Sequence, residues 1–179
     1  MGRSLLPNAG LQIHINGPCL LSARSGGYPV QGPLNQIGIS EKGFEISIQR
    51  YDEAIHADTG GSKLPIDLLE LGMDATIRGQ LVIYDLGALT NWFRILGNES
   101  AEGQLPAIGR PIGLSGNATG IVLSSTTDEP WRFFTCRCRA TKQHISTRHT
   151  VYDLEIYAYA LIGTATSPQG IPLYDHNGN

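Results

Sequence analysis

Charge is the scarcest property of this chain. Only 16% of its 179 residues are Asp, Glu, Lys or Arg, against about a quarter in an ordinary soluble domain. The formal net charge of −3 argues against a dedicated nucleic-acid binder, a class that is normally clearly basic. There is no long uninterrupted apolar run, so no helix is expected to cross a membrane. The opening residues, MGRSLLPNAG, hold neither an extended apolar stretch nor a cleavage site, so no signal peptide is expected. Leu6 stands where N-myristoylation needs Ser or Thr. Cysteine is sparse: Cys19, Cys136 and Cys138. An odd number without framework spacing points to reduced thiols and assembly in a cytosol.

The signatures of catalysis are missing as well. The chain has no G-x-S-x-G, no H-E-x-x-H and no Walker A loop. Its histidines, His14, His56, His144, His149 and His176, are scattered. His144 and His149 flank one turn, but a zinc site needs two further ligands, and Cys136 and Cys138 lie on a strand leading away. Two buried core thiols are the simpler reading of that C-x-C. Asp52 and Glu53 are adjacent in an apparent strand and so face opposite ways, which is wrong for a paired-carboxylate site. The sequon Asn117-Ala118-Thr119 reads as chance without a secretory signal. The expectation is a protein without catalytic, cofactor-binding or metal-ligating residues, and therefore not an enzyme.

What the chain does have is turn residues, with 22 Gly and 10 Pro, and long alternating segments. Ala75, Ile77, Gly79, Leu81 and Ile83 alternate with Thr76, Arg78, Gln80, Val82 and Tyr84, the period of a half-buried strand. At Asp85 the period changes. Leu86, Leu89, Phe93 and Leu96 follow at helical spacing beside Trp92, with Asp85 suited to the N-cap and Gly97 to the C-terminal stop. A helix over residues 86–96 is predicted.

Most other segments read as strand or loop. Residues 1–35 are broken by Gly and Pro; LQIHING forms at most a short strand, and the stretch is either an arm lying on a neighbour or a loop-rich terminus covering the core. Residues 36–55 predict a hairpin or a bent pair turning at Glu41-Lys42-Gly43, with Phe44, Ile46 and Ile48 inward. The polar loop HADTGGSK follows, then LPIDLLELG, which forms a helical turn or an extended contact. WRFFTCRCRATK, residues 131–142, is predicted to turn Phe134, Cys136, Cys138 and Ala140 inward and Thr135, Arg137 and Arg139 outward. Residues 149–163 put Tyr152, Leu154, Ile156, Ala158 and Ala160 on one face and Val151, Asp153, Glu155, Tyr157 and Tyr159 on the other. These two strands predict an antiparallel pair with Arg137 and Arg139 near Asp153 and Glu155. The tail from 164 to 179 is Pro- and Gly-rich and reads as a second arm.

The order of these parts resembles structural proteins of tailed bacteriophages, in particular tail-tube-like proteins. The resemblance rests on Pro65-Ile66-Asp67 with Leu71-Gly72, the strand and helix from Ala75 to Phe93, and the closing strand Val151 to Ala160. It implies one mostly β domain over 1–179: an antiparallel β-sandwich or partial barrel with one flanking α-helix, forming rings. It implies a virion protein of the tail, assembled in the bacterial host cytoplasm. Hexameric rings would stack into a tube or cap its end, as a conduit for DNA during ejection. The partners implied are further copies of the chain and sheath, baseplate or neck components, with DNA as transient lumen cargo and no membrane. The expected subunit contact loop is His56, Asp58, Thr59, Gly60, Gly61 and Lys63; the expected inner-sheet face is Arg137, Arg139, Asp153, Glu155 and Tyr157. A competing reading is a β-sandwich carbohydrate-binding module using Trp131, Tyr157 and Tyr159.

Overall fold

A computed structural model describes residues 6–7, 10–24, 32–56, 65–85, 87–88, 119–145, 150–160 and 173–176. Over these residues the chain is antiparallel β. In chain order the strands are β1 (Leu6–Pro7), β2 (Leu11–Asn16), β3 (Cys19–Arg24), β4 (Leu34–Ser40), β5 (Gly43–His56), β6 (Pro65–Leu81), β7 (Ile83–Tyr84), β8 (Thr119–Ser125), β9 (Trp131–Ile145), β10 (Thr150–Tyr159) and β11 (Tyr174–Asp175). They form one sheet in the order β1-β5-β6-β10-β9-β8-β3-β4-β7, with β2 on β5 and β11 on β9.

That order closes on itself. β6 and β7 are one length of chain interrupted at Val82, so the path from β6 through β10, β9, β8, β3 and β4 returns to its own starting strand. The seam is hydrogen-bonded: Ile39 lies opposite Ile83, the Val82 N–H donates to the Ile39 carbonyl (3.0 Å), and the Asp85 N–H to that of Ile37 (2.8 Å). The result is a barrel wall with an outlying wing, β5 and β2, on the other edge of β6.

Three neighbouring strands break at one level to make this possible. The pairs Asn16–Gly43 and Cys19–Ser40 show that β2–β3 runs beside β4–β5 on both sides of a gap at Gly17-Pro18 and Glu41-Lys42. The pairs Phe44–Gly79 and Ile39–Ile83 show the same for β4–β5 beside β6–β7. Glu41-Lys42-Gly43 is thus the corner of a bent strand, because β4 and β5 pair with flanking strands and not with each other. Fully buried Ser40 holds the corner: its Oγ donates to the Gly43 carbonyl (2.8 Å) and accepts from the Gly43 N–H (3.1 Å). Gly43 has φ +87°, a conformation open to glycine, and an added Cβ would collide with the Ile15 carbonyl oxygen.

The core follows the alternation. Ile46, Ile77 and Ile156 lie side by side in register and are fully buried; each contributes about 1.5–3 kcal/mol by leaving water. One row further, Gly79 lies between Phe44 and Leu154, and a Cβ there would strike the Phe44 ring. Leu21, Ile37, Leu123, Phe133 and Tyr152 complete the same cluster from the other half of the barrel.

Several expectations are corrected. Within 1–35, LQIHING forms the short strand β2, as its pattern allows, but the Gly- and Pro-broken stretch after it is not irregular at its start: it holds β3, with Cys19, Leu21, Ser22 and Ala23 buried. CLLSAR hides its strand character because it is buried on both faces, which removes the alternation. Of the two conformations open to residues 65–72, a helical turn or an extended contact, the extended one is found, as the first part of β6. Ile83 is 61% exposed, since the break at Val82 flips the phase and turns Tyr84 toward the core, edge-on to Tyr152 at 4.8 Å. In β9 it is Phe133 and Thr135 that are buried beside Cys136, while Phe134 is only partly covered. A register shift against β8 between Thr119 and Ile121 inserts the extra residue that changes the phase. The 164–179 tail contains β11 and buried Leu173, so its end belongs to the core. Of the predicted helix, only Gly87 and Ala88 are described; the Ala88 N–H donates to Asp85 Oδ1 (3.0 Å), the hydrogen bond of an N-cap, and residues 89–96 lie outside the described residues.

The corner is the place to test this architecture. Ser40→Ala leaves two backbone groups of Gly43 without that partner and is expected to cost about 1–3 kcal/mol. Gly43→Ala adds left-handed strain to a backbone collision and is expected to cost about 3 kcal/mol or more. Urea unfolding of both variants checks the order; a neutral Gly43→Ala contradicts the corner geometry.

Candidate functional site: a polar sheet face with an open edge

The face of the sheet away from the core is organised in rows. His14 of β2 lies opposite Glu45 of β5, Glu45 opposite Arg78 of β6, Arg78 opposite Glu155 of β10, and Glu155 opposite Arg139 of β9. Acid and base therefore alternate across neighbouring strands, an arrangement that favours this register over a slipped one. Within the row Arg78 Nε meets Glu155 Oε2 at 3.0 Å, with the arginine side chain 63% exposed. Exposed pairs of this kind contribute under about 1 kcal/mol, so the row specifies pairing more than it stabilises.

A second group sits beside it. Asp153 accepts from Gln80 Nε2 at 2.8 Å and pairs with His144 Nε2 at 2.8 Å. The Tyr157 hydroxyl donates to Glu155. An open trough of about 430 Å³ crosses this face between His14, Lys42, Glu45, Arg78, Gln80 and Glu155. Along its walls Arg78 is engaged with Glu155 and Gln80 with Asp153.

The expected inner-sheet residues are thus brought together in part. Asp153, Glu155 and Tyr157 occupy the polar face of β10. Arg139 lies opposite Glu155, Arg137 opposite Tyr157, and Lys142 takes the place opposite Asp153, with a register shift between Asp153 and Leu154. The side chains of Arg137 and Arg139 lie outside the described residues, as do Asp58, Thr59, Gly60, Gly61 and Lys63 of the contact loop; His56 is placed only as the end of β5, opposite Pro65.

Sequence reading missed the features that make this face unusual. β10 has partners on both sides, β6 and β9, so it is interior. The margin lies at β2, which pairs only with β5 among the described residues. β5 and β6 also run on past the barrel. β6 leaves β10 at Asp74, opposite Tyr159, while its pairing with β5 continues to Pro65. At the base of this ribbon Leu71 is bulged out between the pairs Tyr51–Gly72 and Asp52–Glu70, and Gly72 takes φ +149°. The bulge is braced by Tyr51, whose hydroxyl donates to Asp74 Oδ2 (2.8 Å), and by Arg50 on buried Asp52 (3.0 Å). The hydrogen bond to Asp74, with burial behind it, raises the Tyr51 pKa above its ordinary value. Length was the available signal: GFEISIQRYDEAIH and PIDLLELGMDATIRGQL both exceed an ordinary strand of about 5–6 residues.

Trp131, one of the residues of the carbohydrate reading, is only 7% exposed. His176 stacks on its ring at 4.0 Å, and Tyr174 packs at 5.4 Å, so it offers no platform to a sugar. Among the described residues no three His, Cys, Asp or Glu side chains converge as metal ligands, and no helix is long and apolar enough to cross a membrane. Cys19 and Cys136 are buried and form no disulfide. No family model, no curated protein and no solved structure matches this chain.

Two expectations follow. Arg78→Glu sets like charges in adjacent places of the row and should destabilise the fold by about 1 kcal/mol in low salt. The loss should shrink in 1 M salt, where the screening length falls to about 3 Å, as denaturation at both ionic strengths will show. Burial raises the Cys19 pKa to about 11, so at pH 8 its thiol should resist alkylation in the folded protein and label fully in denaturant, read by mass spectrometry of the Cys19 peptide.

Proposed function

We propose that this chain is a structural subunit of a bacteriophage tail, assembling as hexameric rings that stack into a tube or cap its end and act as a conduit for DNA during ejection. It works without catalysis, in the virion, after assembly in the host cytoplasm. Its partners are its own copies and neighbouring tail components such as sheath, baseplate or neck proteins. A helix over 86–96, capped by Asp85, flanks the β domain.

The observation that carries this reading is a single antiparallel sheet with one polar, charge-balanced face and an open margin at β2. Such a module continues its sheet into a neighbour, and closure of the ring removes the exposed edge. The order of parts in the sequence, from the Pro65–Gly72 segment to the closing strand Val151–Ala160, supports the tail assignment. A low charged fraction of 16% fits a surface largely taken up by contacts. The net charge of −3 per copy suits a wall past which DNA slides and is not held.

Negative-stain microscopy of the purified protein is the direct test: rings or tubes with six-fold averages are expected without added ligand, and monodisperse single subunits at high concentration overturn the proposal. Assembled rings should show no measurable binding to duplex DNA at physiological salt. Tight, salt-sensitive binding would mark a nucleic-acid partner instead.

A further inference from the structure

Resting on that reading, we infer that neighbouring subunits join head to tail by strand addition: the open edge of β2 in one copy receives the open edge of the Pro65–Gly72 half of β6 from the next.

β2 is an unguarded edge. Its inner side is hydrogen-bonded to β5 from Leu11 opposite Ile48 to Asn16 opposite Gly43, and among the described residues nothing pairs its outer side. The usual deterrents to edge pairing are a lysine, a proline, an inward charge or a bulge. LQIHIN contains none of those residues and its register with β5 runs unbroken. Its core-facing row is also uncovered toward the margin: Ile15 is 5% exposed, Ile13 is partly buried and Leu11 is 55% exposed. A strand laid beside β2 would satisfy the backbone and extend cover over Leu11 and Ile13 in one step.

The same chain carries a strand of the right kind. From Pro65 to Gly72, β6 has β5 on one side and, among the described residues, no strand on the other, since β10 stops opposite Asp74. PIDLLELG places apolar residues at both parities, Ile66 and Leu68 in one and Leu69 and Leu71 in the other. That is the pattern of a strand covered on both faces, yet this ribbon projects beyond the barrel. Its eight positions match the six of β2 with one to spare at either end. The bulge at Leu71-Gly72 re-aims the ribbon where it leaves the wall.

Two different edges without a partner among the described residues call for a heterologous contact. Pairing β2 with β2 about a two-fold axis would leave both ribbons bare. Pairing β2 with the ribbon uses each edge once per subunit, and such a contact closes when its rotation divides a full turn. The occupant is therefore a second copy of this chain.

The test uses two full-length variants. Leu11→Lys points a charge along the core side of the acceptor margin, at a position 55% exposed in the single subunit, and Leu69→Lys charges the ribbon. Each variant alone should stay monomeric at concentrations about tenfold or more above that at which the unmodified protein forms rings, a shift of at least about 1.4 kcal/mol. An equimolar mixture retains one good acceptor and one good ribbon, so it should give a one-to-one heterodimer by sedimentation and native mass spectrometry. Melting curves confirm that each variant folds; should Leu11→Lys fail, Leu11→Ser removes the same apolar cover with the same expected direction. Rings from either variant overturn this inference and leave the tail-subunit reading standing. A homodimer from Leu69→Lys without rescue in the mixture also overturns it, in favour of two-fold β2 pairing. An unmodified protein that never assembles removes the tail-subunit reading and this inference with it.

Discussion

The corner shared by Gly17-Pro18, Glu41-Lys42 and Val82 is the constraint on which the rest of the molecule depends. Three adjacent strands change direction together and keep their neighbours on both sides of the break. A sheet that bends this way can roll back until β4 reaches β7, and only then do Leu21 and Ile37 face Ile77 and Leu154 across a common interior. Buried Ser40 supplies the backbone bonds the corner would otherwise lack, and Gly43 supplies the conformation. With a side chain at either Gly43 or Gly79, the strands would have to stand further apart and the rows of isoleucine would lose contact.

The two faces of the wing and barrel wall then serve different ends. One is almost wholly apolar and supplies the stabilisation. The other carries ion pairs and amides that contribute little free energy but discriminate between registers, because a slip by one residue exchanges the faces altogether. The inner face is closed by the core, and among the described residues the outer side of β2 is a margin with no strand beside it.

The β class, the inward row Phe44–Ile46–Ile48, the face of β10 and the antiparallel pairing of β9 with β10 were legible because period-two alternation is a local signal. The hydrogen bond from the Ala88 N–H to Asp85 was legible too, because a side chain that accepts from the backbone three residues on is also a local signal. β3 was not, because a strand buried on both faces has no alternation. The phase changes at Val82 and in β9 escaped because a bulge depends on the partner strand. Alternation brought Arg137 and Arg139 near Asp153 and Glu155 without saying which lies opposite which; the register sets Arg139 opposite Glu155, Arg137 opposite Tyr157 and Lys142 opposite Asp153, and a register is a property of the pair that neither strand shows alone. The margin at β2 was beyond reach altogether: which strand lies outermost is a property of topology.

Leu173, Tyr174 and His176 close the barrel end beside Trp131 and Phe133, in the place β10 vacates after Ala158 pairs with Cys136. Asp175 anchors them on Arg132 at 3.4 Å. These residues come later in the chain than every strand they pack against, and β3 must wait for β8 before it has both its neighbours. Pairing of this non-local kind is slow, on the order of milliseconds to seconds. A chain cut short before Leu173 would lack the plug of its own interior and would be open to proteolysis.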